Sequence, residues 1–114
     1  MRGRIALTGA LALTACGASG VSVPDKFAGT WGADCSSPYV RFSPGTIHLY
    51  PDNADYKLKT ASVDAAGNLT VSYDMPTAAA VETYVVEGTM LRLAKATYNG
   101  AEAAWHKAPM NKCG

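Results

Sequence analysis

Short runs of alternating apolar and polar residues, separated by turn residues every ten residues or so, constrain the fold of this chain most strongly. In the clearest run, residues 69–75, every second side chain is apolar, which places one set of side chains on each face of a β-strand. No segment has a clear helical period. The three alanines at 78–80 would support at most one helical turn. The pattern therefore predicts an all-β fold.

Turn residues join the alternating runs into hairpins. Gly67 and Asn68 tolerate a positive φ and connect two of the runs, while Asn99-Gly100 favours a type I′ turn. A closed sheet of about eight strands encloses just enough space for its own side chains or one small ligand. We therefore predict a small antiparallel meander barrel of about eight strands, or a strongly curled sheet. Its expected strands are residues 27–31, 39–42, 46–49, 56–60, 69–75, 81–86, 90–96 and 101–107.

Composition narrows the class of protein further. The 114 residues have room for one small domain, and 48% apolar with 17% charged residues is typical of a globular chain rather than a disordered one. The chain has ten basic and nine acidic residues. Two of the basic ones, Arg2 and Arg4, lie in the leader described next, so the rest of the chain has eight basic and nine acidic residues. A nucleic-acid partner is therefore not expected.

The N-terminus has the build of a secretory signal. Two arginines within residues 1–4 precede residues 5–13, which carry no charge. A helix of that length rises only about 14 Å, whereas the hydrocarbon core of a bilayer is about 30 Å thick. We therefore expect this segment to direct export and then to be removed.

The leader ends in Leu13-Thr14-Ala15-Cys16, which resembles the lipobox of bacterial lipoproteins. The resemblance implies that the leader is cut before Cys16 and that this cysteine is acylated, which anchors the chain in a membrane. Because Gly17 follows in place of the acidic retention residue of that family, the resemblance also implies the outer membrane, at its periplasmic face.

Three segments follow from this resemblance. They are a signal peptide over residues 1–15, a lipid anchor and tether over residues 16–26, and a barrel domain over residues 27–114. The alternative is an ordinary leader cut elsewhere, for instance after Ala18, with its cysteine discarded.

Three cysteines leave one thiol unpaired in an oxidising compartment. Acylation of Cys16 would remove the odd thiol and leave Cys35 and Cys113 to form one disulfide. A disulfide between these two cysteines would close a loop of 78 residues, which should contribute about 4 kcal/mol to the free energy of unfolding in the chain-entropy model. Two unpaired buried thiols are the alternative, and a metal site is less favoured because no Cys-x-x-Cys spacing is present.

Gly29-Thr30-Trp31 resembles the Gly-x-Trp motif of lipocalin and avidin-like (calycin-like) barrels. In those barrels the Trp plugs the closed end and a basic residue from a late strand covers it. The resemblance implies that Arg92 or Lys107 supplies that cation. The simpler interpretation is that Trp31 is an ordinary core residue.

The sequence offers little material for catalysis, a cofactor or a metal. No serine lies in a Gly-x-Ser-x-Gly elbow, and Asp52 and Asp55 are explained by turn chemistry. By strand alternation His48 and His106 point outward on different hairpins, with no metal-ligand spacing between them. We therefore expect a protein that is not an enzyme and holds no cofactor or metal.

Two functions remain, and both imply a protein partner. Small size, a lipid anchor and one disulfide resemble the membrane-bound inhibitors of C-type lysozyme and, more loosely, periplasmic protease inhibitors. The order of residue types late in the chain is also similar to the lysozyme-inhibitor family, at Leu91, Leu93, Gly100, Trp105, Lys107 and Cys113.

The inhibitor family places Ser-Gly before a Tyr in its binding loop, whereas this chain has residues 98–101, Tyr-Asn-Gly-Ala. Tyr98 and Lys107 are therefore the candidate binding residues. The alternative function is a structural or assembly lipoprotein of the cell envelope that presents its sheet surface. Its interface aromatics would be Tyr39, Tyr50, Tyr84 and Tyr98, provided that these side chains are exposed and contiguous.

Overall fold

The computed structural model describes residues 21–103 and 108–114, which form a single antiparallel sheet preceded by a short 3₁₀ helix. The helix is Asp25–Phe27, and the strands are β1 (Gly29–Gly32), β2 (Val40–Ser43), β3 (Thr46–Leu49), β4 (Ala54–Val63), β5 (Leu69–Asp74), β6 (Ala79–Glu87), β7 (Met90–Tyr98), β8 (Ala101–Glu102) and β9 (Asn111–Lys112).

The strand order is that of a meander whose last strand returns to the first. Strands β8 to β1 are neighbours in reverse chain order, and β9 pairs with β1 at the opposite edge. The backbone groups of Leu91 in β7 and Met110 exchange hydrogen bonds of 3.0 and 2.6 Å, which bring the two edges together at one point. The all-β antiparallel prediction is confirmed. The described sheet has nine strands instead of about eight, and it is not closed.

The predicted turns are present at the predicted places. Asn99 and Gly100 have φ of 52° and 83°, as a type I′ turn requires, and Gly67 has φ of 87°. The alanines at 79 and 80 begin β6 rather than a helical turn. Their pairing with Asp74 and Tyr73 of β5 outweighs the weak helical preference of so short a run.

Alternation places the core on one face of the sheet. Leu69, Val71 and Tyr73 of β5 are fully buried, while the residues between them face outward. On average, burying a large apolar side chain stabilises the fold by about 1.5–3 kcal/mol. The same alternation buries Phe42 of β2 and Ile47 of β3.

A disulfide joins Cys35, in the loop between β1 and β2, to Cys113, just after β9. The two cysteines are 78 positions apart, and their Cα atoms are separated by 5.5 Å. The predicted pair is therefore confirmed. The bridge holds the C-terminus against β1, where Gly29, with φ of 110°, lies so close to the Gly114 carbonyl that a Cβ would collide with it.

We call the two ends of the sheet the near end, where the N-terminal segment joins it, and the far end, which lies opposite. The near end holds the β2–β3, β4–β5 and β6–β7 turns, and the N-terminal segment joins the sheet there because the Ser22 hydroxyl accepts a 2.9 Å hydrogen bond from the Gly45 amide. The far end holds the β1–β2 loop and the β3–β4, β5–β6 and β7–β8 turns.

Candidate functional site

A cavity of about 370 Å³ opens at the far end of the sheet. Each side of the opening comes from a different connection, because alternate turns of a meander meet at the same end. Tyr39 lies just before β2, Asp52 is in the β3–β4 turn, Thr77 is in the β5–β6 turn and Tyr98 ends β7. The volume lies within the range of about 300–1,000 Å³ typical of small-ligand sites.

Glu82 is a buried carboxylate in the interior of the sheet. Its side chain points inward from β6, and the residue has 0% exposure. The Tyr73 hydroxyl donates to Oε2 at 2.9 Å, and the Tyr84 hydroxyl donates to Oε1 at 2.6 Å. A buried carboxylate is costly unless hydrogen bonds compensate for its lost hydration, and here each oxygen has a donor.

Burial governs the ionisation of the acidic groups in the interior near this cavity. Burial raises the pKa of Glu82, the hydroxyls of Tyr84 and Tyr73 lower it, and the charge of Asp52 adds a further rise. The pKa of Tyr39, at the cavity wall, is raised by burial and then by the charge of Glu82. Burial in this region therefore disfavours the negatively charged form of both side chains.

The four tyrosines that would be interface aromatics of a structural lipoprotein occupy three different environments. Tyr39 and Tyr98 are half-buried and both line the far-end cavity. Tyr50 lies on the outer face, where its ring is 4.6 Å from that of His48. Tyr84 has 0% exposure, so its expected place among interface aromatics is wrong. It lies on the inward-facing side of β6, with Glu82.

Two of the predicted site residues, Cys16 and Lys107, lie outside the described residues, as do His106 and Trp105. Tyr98 is thus the one candidate binding residue that the structure places.

Trp31 is buried, and its indole N–H donates to the Phe27 carbonyl at 2.9 Å. The cation beside its ring is Lys112, with Nζ 5.9 Å from the ring centroid. Arg92 or Lys107 was expected in that role. Arg92 pairs instead with Glu87 at 2.8 Å, and Lys107 lies outside the described residues. Lys112 takes the place because β9 aligns it directly opposite Trp31.

A second concavity, the near-end groove, has about 300 Å³. Phe27, Trp31 and Leu91 line it together with two lysines, Lys26 and Lys112. The ammonium group of Lys26 lies 5.0 Å from the centroid of the Phe27 ring. The near-end groove is therefore basic, in contrast with the far-end cavity.

The outer face of β2–β4 carries a small polar cluster. His48 Nδ1 lies 2.8 Å from an Asp55 oxygen, and the Arg41 guanidinium donates to the Tyr50 hydroxyl at 3.2 Å. The outward direction predicted for His48 is confirmed, although only 11% of its side chain is exposed. Within residues 21–103 and 108–114, no three His, Cys, Asp or Glu side chains are grouped so that they would hold a metal ion.

Glu82 is the residue that sequence reasoning missed. A signal was present, because alternation from Ala80 to Tyr84 places this charged residue on the inward face of its strand. Its partner Tyr73 is on the neighbouring strand, so the contact depends on how β5 and β6 are aligned.

No family model, curated protein or solved structure matches this chain. The resemblances to lipoproteins, lysozyme inhibitors and calycin-like barrels therefore stay predictions from sequence motifs. In the described part of the chain, none of the helices has the length and apolar character needed to cross a bilayer.

Proposed function

We propose that this chain is a lipid-anchored binding protein of the bacterial cell envelope, not an enzyme, and that the far-end cavity is where it binds a protein partner. The observation that carries the proposal is the position of the cavity. It opens at the end of the sheet opposite the point where the N-terminal segment joins it.

An anchor on Cys16 would place the near end toward the lipid. The stretch from Cys16 to Val21 spans at most about 18 Å even when fully extended. The hydrogen bond between Ser22 and Gly45 then fixes the chain to the β2–β3 turn. A molecule held in this way directs its far end away from the membrane of the envelope, which we take to be the outer membrane seen from the periplasm.

The far end carries groups suited to a protein contact. Tyr39 and Tyr98 are half-buried at the cavity wall, and the rim residues Asp52 and Thr77 are exposed. Aromatic side chains surrounded by a polar rim dominate many protein interfaces. The most concrete version is an inhibitor of C-type lysozyme or of a secreted protease, with Tyr98 entering the enzyme's cleft and Lys107 as the second candidate.

A structural or assembly lipoprotein is the second candidate function. The observation that favours it is the cluster of Arg41, His48 and Tyr50, which presents aromatic and charged groups on the outer sheet face. In that case the partner would cover β2–β4 and leave the cavity open.

Inhibition by the full chain in detergent, with Tyr98→Ala and the outer-face variant Tyr50→Ala compared, separates these functions. We expect micromolar inhibition of a C-type lysozyme or of one member of a panel of secreted proteases. Truncating a central aromatic costs about 2 kcal/mol or more, so Tyr98→Ala should weaken inhibition by about thirtyfold.

Tyr50→Ala is the matched control and should inhibit like the unchanged protein. Circular dichroism of both variants checks that the sheet is intact. No inhibition by the full chain, together with an envelope protein whose crosslinking is lost in Tyr50→Ala alone, would contradict the inhibitor version and support the structural one.

A further inference from the structure

The far-end cavity has room for one side chain or small group. At about 370 Å³ it lies near the lower limit for small-ligand pockets, and it is half-enclosed by turns from several hairpins. A partner would therefore insert a single protruding residue, while the rest of the contact forms on the rim.

The cavity wall combines apolar side chains with aromatic rings. Leu49 and Met75 supply apolar surface, and Tyr39 and Tyr98 supply rings. Apolar walls suit the methylene stem of a long basic side chain, which keeps its charged head near polar groups. Aromatic faces attract ammonium and guanidinium groups.

One charged residue lines the cavity, and it is acidic. Asp52 lies on the exposed rim, and Glu82 is buried in the interior next to Tyr73, whose ring stacks on that of Tyr56 at 5.3 Å. Among the described residues that line the cavity, none is a lysine, an arginine or a histidine. An anionic group would meet like charge there, whereas a cation would meet opposite charge.

We infer that the far-end cavity accepts a lysine or arginine side chain from the partner protein, with Asp52 as the contacting carboxylate and Tyr39 and Tyr98 as the ring walls. This inference rests on the proposed function, because it assumes that the cavity is the binding site. Glu82 is buried in the interior, does not line the cavity and does not touch the ligand.

The partner chemistry is testable with short peptides and the full chain in detergent micelles. The probes are acetyl-Gly-Arg-Gly-amide and acetyl-Gly-Lys-Gly-amide, with citrulline and norleucine peptides as neutral isosteres and agmatine as a free organic cation. Amide NMR shifts of Thr77 and Tyr98 report binding at the far end, and those of Thr89 report binding at the near end.

The two basic peptides should shift the far-end signals with millimolar affinity, and the neutral peptides should bind at least about fivefold more weakly. Asp52→Asn should weaken the arginine peptide by about fivefold, whereas Asp55→Asn, on the outer face, should not change it. Higher salt should weaken the basic peptides further.

Equal binding of the citrulline and arginine peptides would overturn the inference, as would an Asp52→Asn variant that binds like the unchanged protein. Binding of agmatine without either basic peptide would show a site for a small organic cation and would overturn the assignment to a protein side chain. If neither basic peptide binds although Tyr98→Ala still weakens inhibition, the inference about the partner's side chain is wrong and the proposed function stands. If Tyr98→Ala has no effect on any partner, the proposed function itself is wrong.

Discussion

The two concavities of the sheet are similar in volume, but the charged residues that line them are of opposite sign. The far-end cavity and the near-end groove have volumes of about 370 and 300 Å³, and both have apolar walls. Asp52 is the charged residue among those of the far-end cavity, whereas Lys26 and Lys112 line the near-end groove. The volume of a concavity alone therefore does not define a site, because the charges at its edge decide which ligands are attracted.

The aromatic residues differ in the same way. At the near end Phe27 and Trp31 are buried and belong to the core, and Trp31 makes a hydrogen bond to the Phe27 carbonyl. At the far end Tyr39 and Tyr98 are only half-buried. Substitutions at the near end should therefore affect stability first, and those at the far end should affect binding first.

The disulfide ties the loop that leads to Tyr39 at the far end to the strand that carries Lys112 at the near end. Removing it should have the largest effect on stability, because the bridge joins residues 78 positions apart and so restricts the unfolded chain. The double variant Cys35→Ser/Cys113→Ser should lose about 4 kcal/mol of unfolding free energy. Urea unfolding measures this loss. A loss below about 1 kcal/mol would show that the bridge adds little constraint to the unfolded chain.

Trp31→Ala should destabilise the fold by about 3 kcal/mol, since it removes a buried ring and leaves a cavity in the core. Tyr98→Ala, at the half-buried far-end wall, should cost clearly less in the same urea titration. Equal losses for the two variants would contradict the division of the ends into a structural and a binding part.

The buried carboxylate should give the stability of the protein a distinctive pH dependence. Because burial raises the pKa of Glu82 above its ordinary value of 4.5, the folded state holds this proton more tightly than the unfolded chain does. The stabilisation is complete below that ordinary value and is lost as the pH rises through the raised pKa.

The unfolding free energy of Glu82→Gln, measured from below pH 4.5 upward, should therefore fall less with rising pH than that of the unchanged protein. Glu102→Gln, on the exposed strand β8, is the matched control and should retain the unchanged slope. Identical slopes for Glu82→Gln and the unchanged protein would contradict the assignment.

Lys112→Gln should have the smallest effect. The Lys112 ammonium lies 5.9 Å from the Trp31 ring on an exposed strand, and such cation–π contacts contribute about 0.5 kcal/mol. Thermal unfolding of this variant beside Lys57→Gln, at an exposed position of β4, measures the difference. A loss of more than about 2 kcal/mol would show that Lys112 holds the near end together.

The sequence predicted local features well because they depend on neighbouring residues. Alternation over residues 69–75 identified β5, and Asn99-Gly100 identified the β7–β8 turn. The cysteine count indicated the disulfide that the structure contains.

Features that depend on strand alignment were not predictable in the same way. Lys112 lies beside Trp31 because β9, a strand of two residues with no periodic signal, aligns them. Glu82 meets Tyr73 because β5 and β6 pair in one particular register. The far-end cavity likewise exists only once four separate connections come together.

Site-specific photo-crosslinking of the full chain in intact cells tests whether the far end binds a protein partner. A benzophenone side chain is placed at Thr77, on the far-end rim, or at Thr89, in the near-end turn, both of which are exposed. We expect a discrete protein adduct from position 77 that is reduced by Tyr98→Ala, and no protein adduct from position 89. An adduct from position 89 with none from position 77 would contradict this expectation.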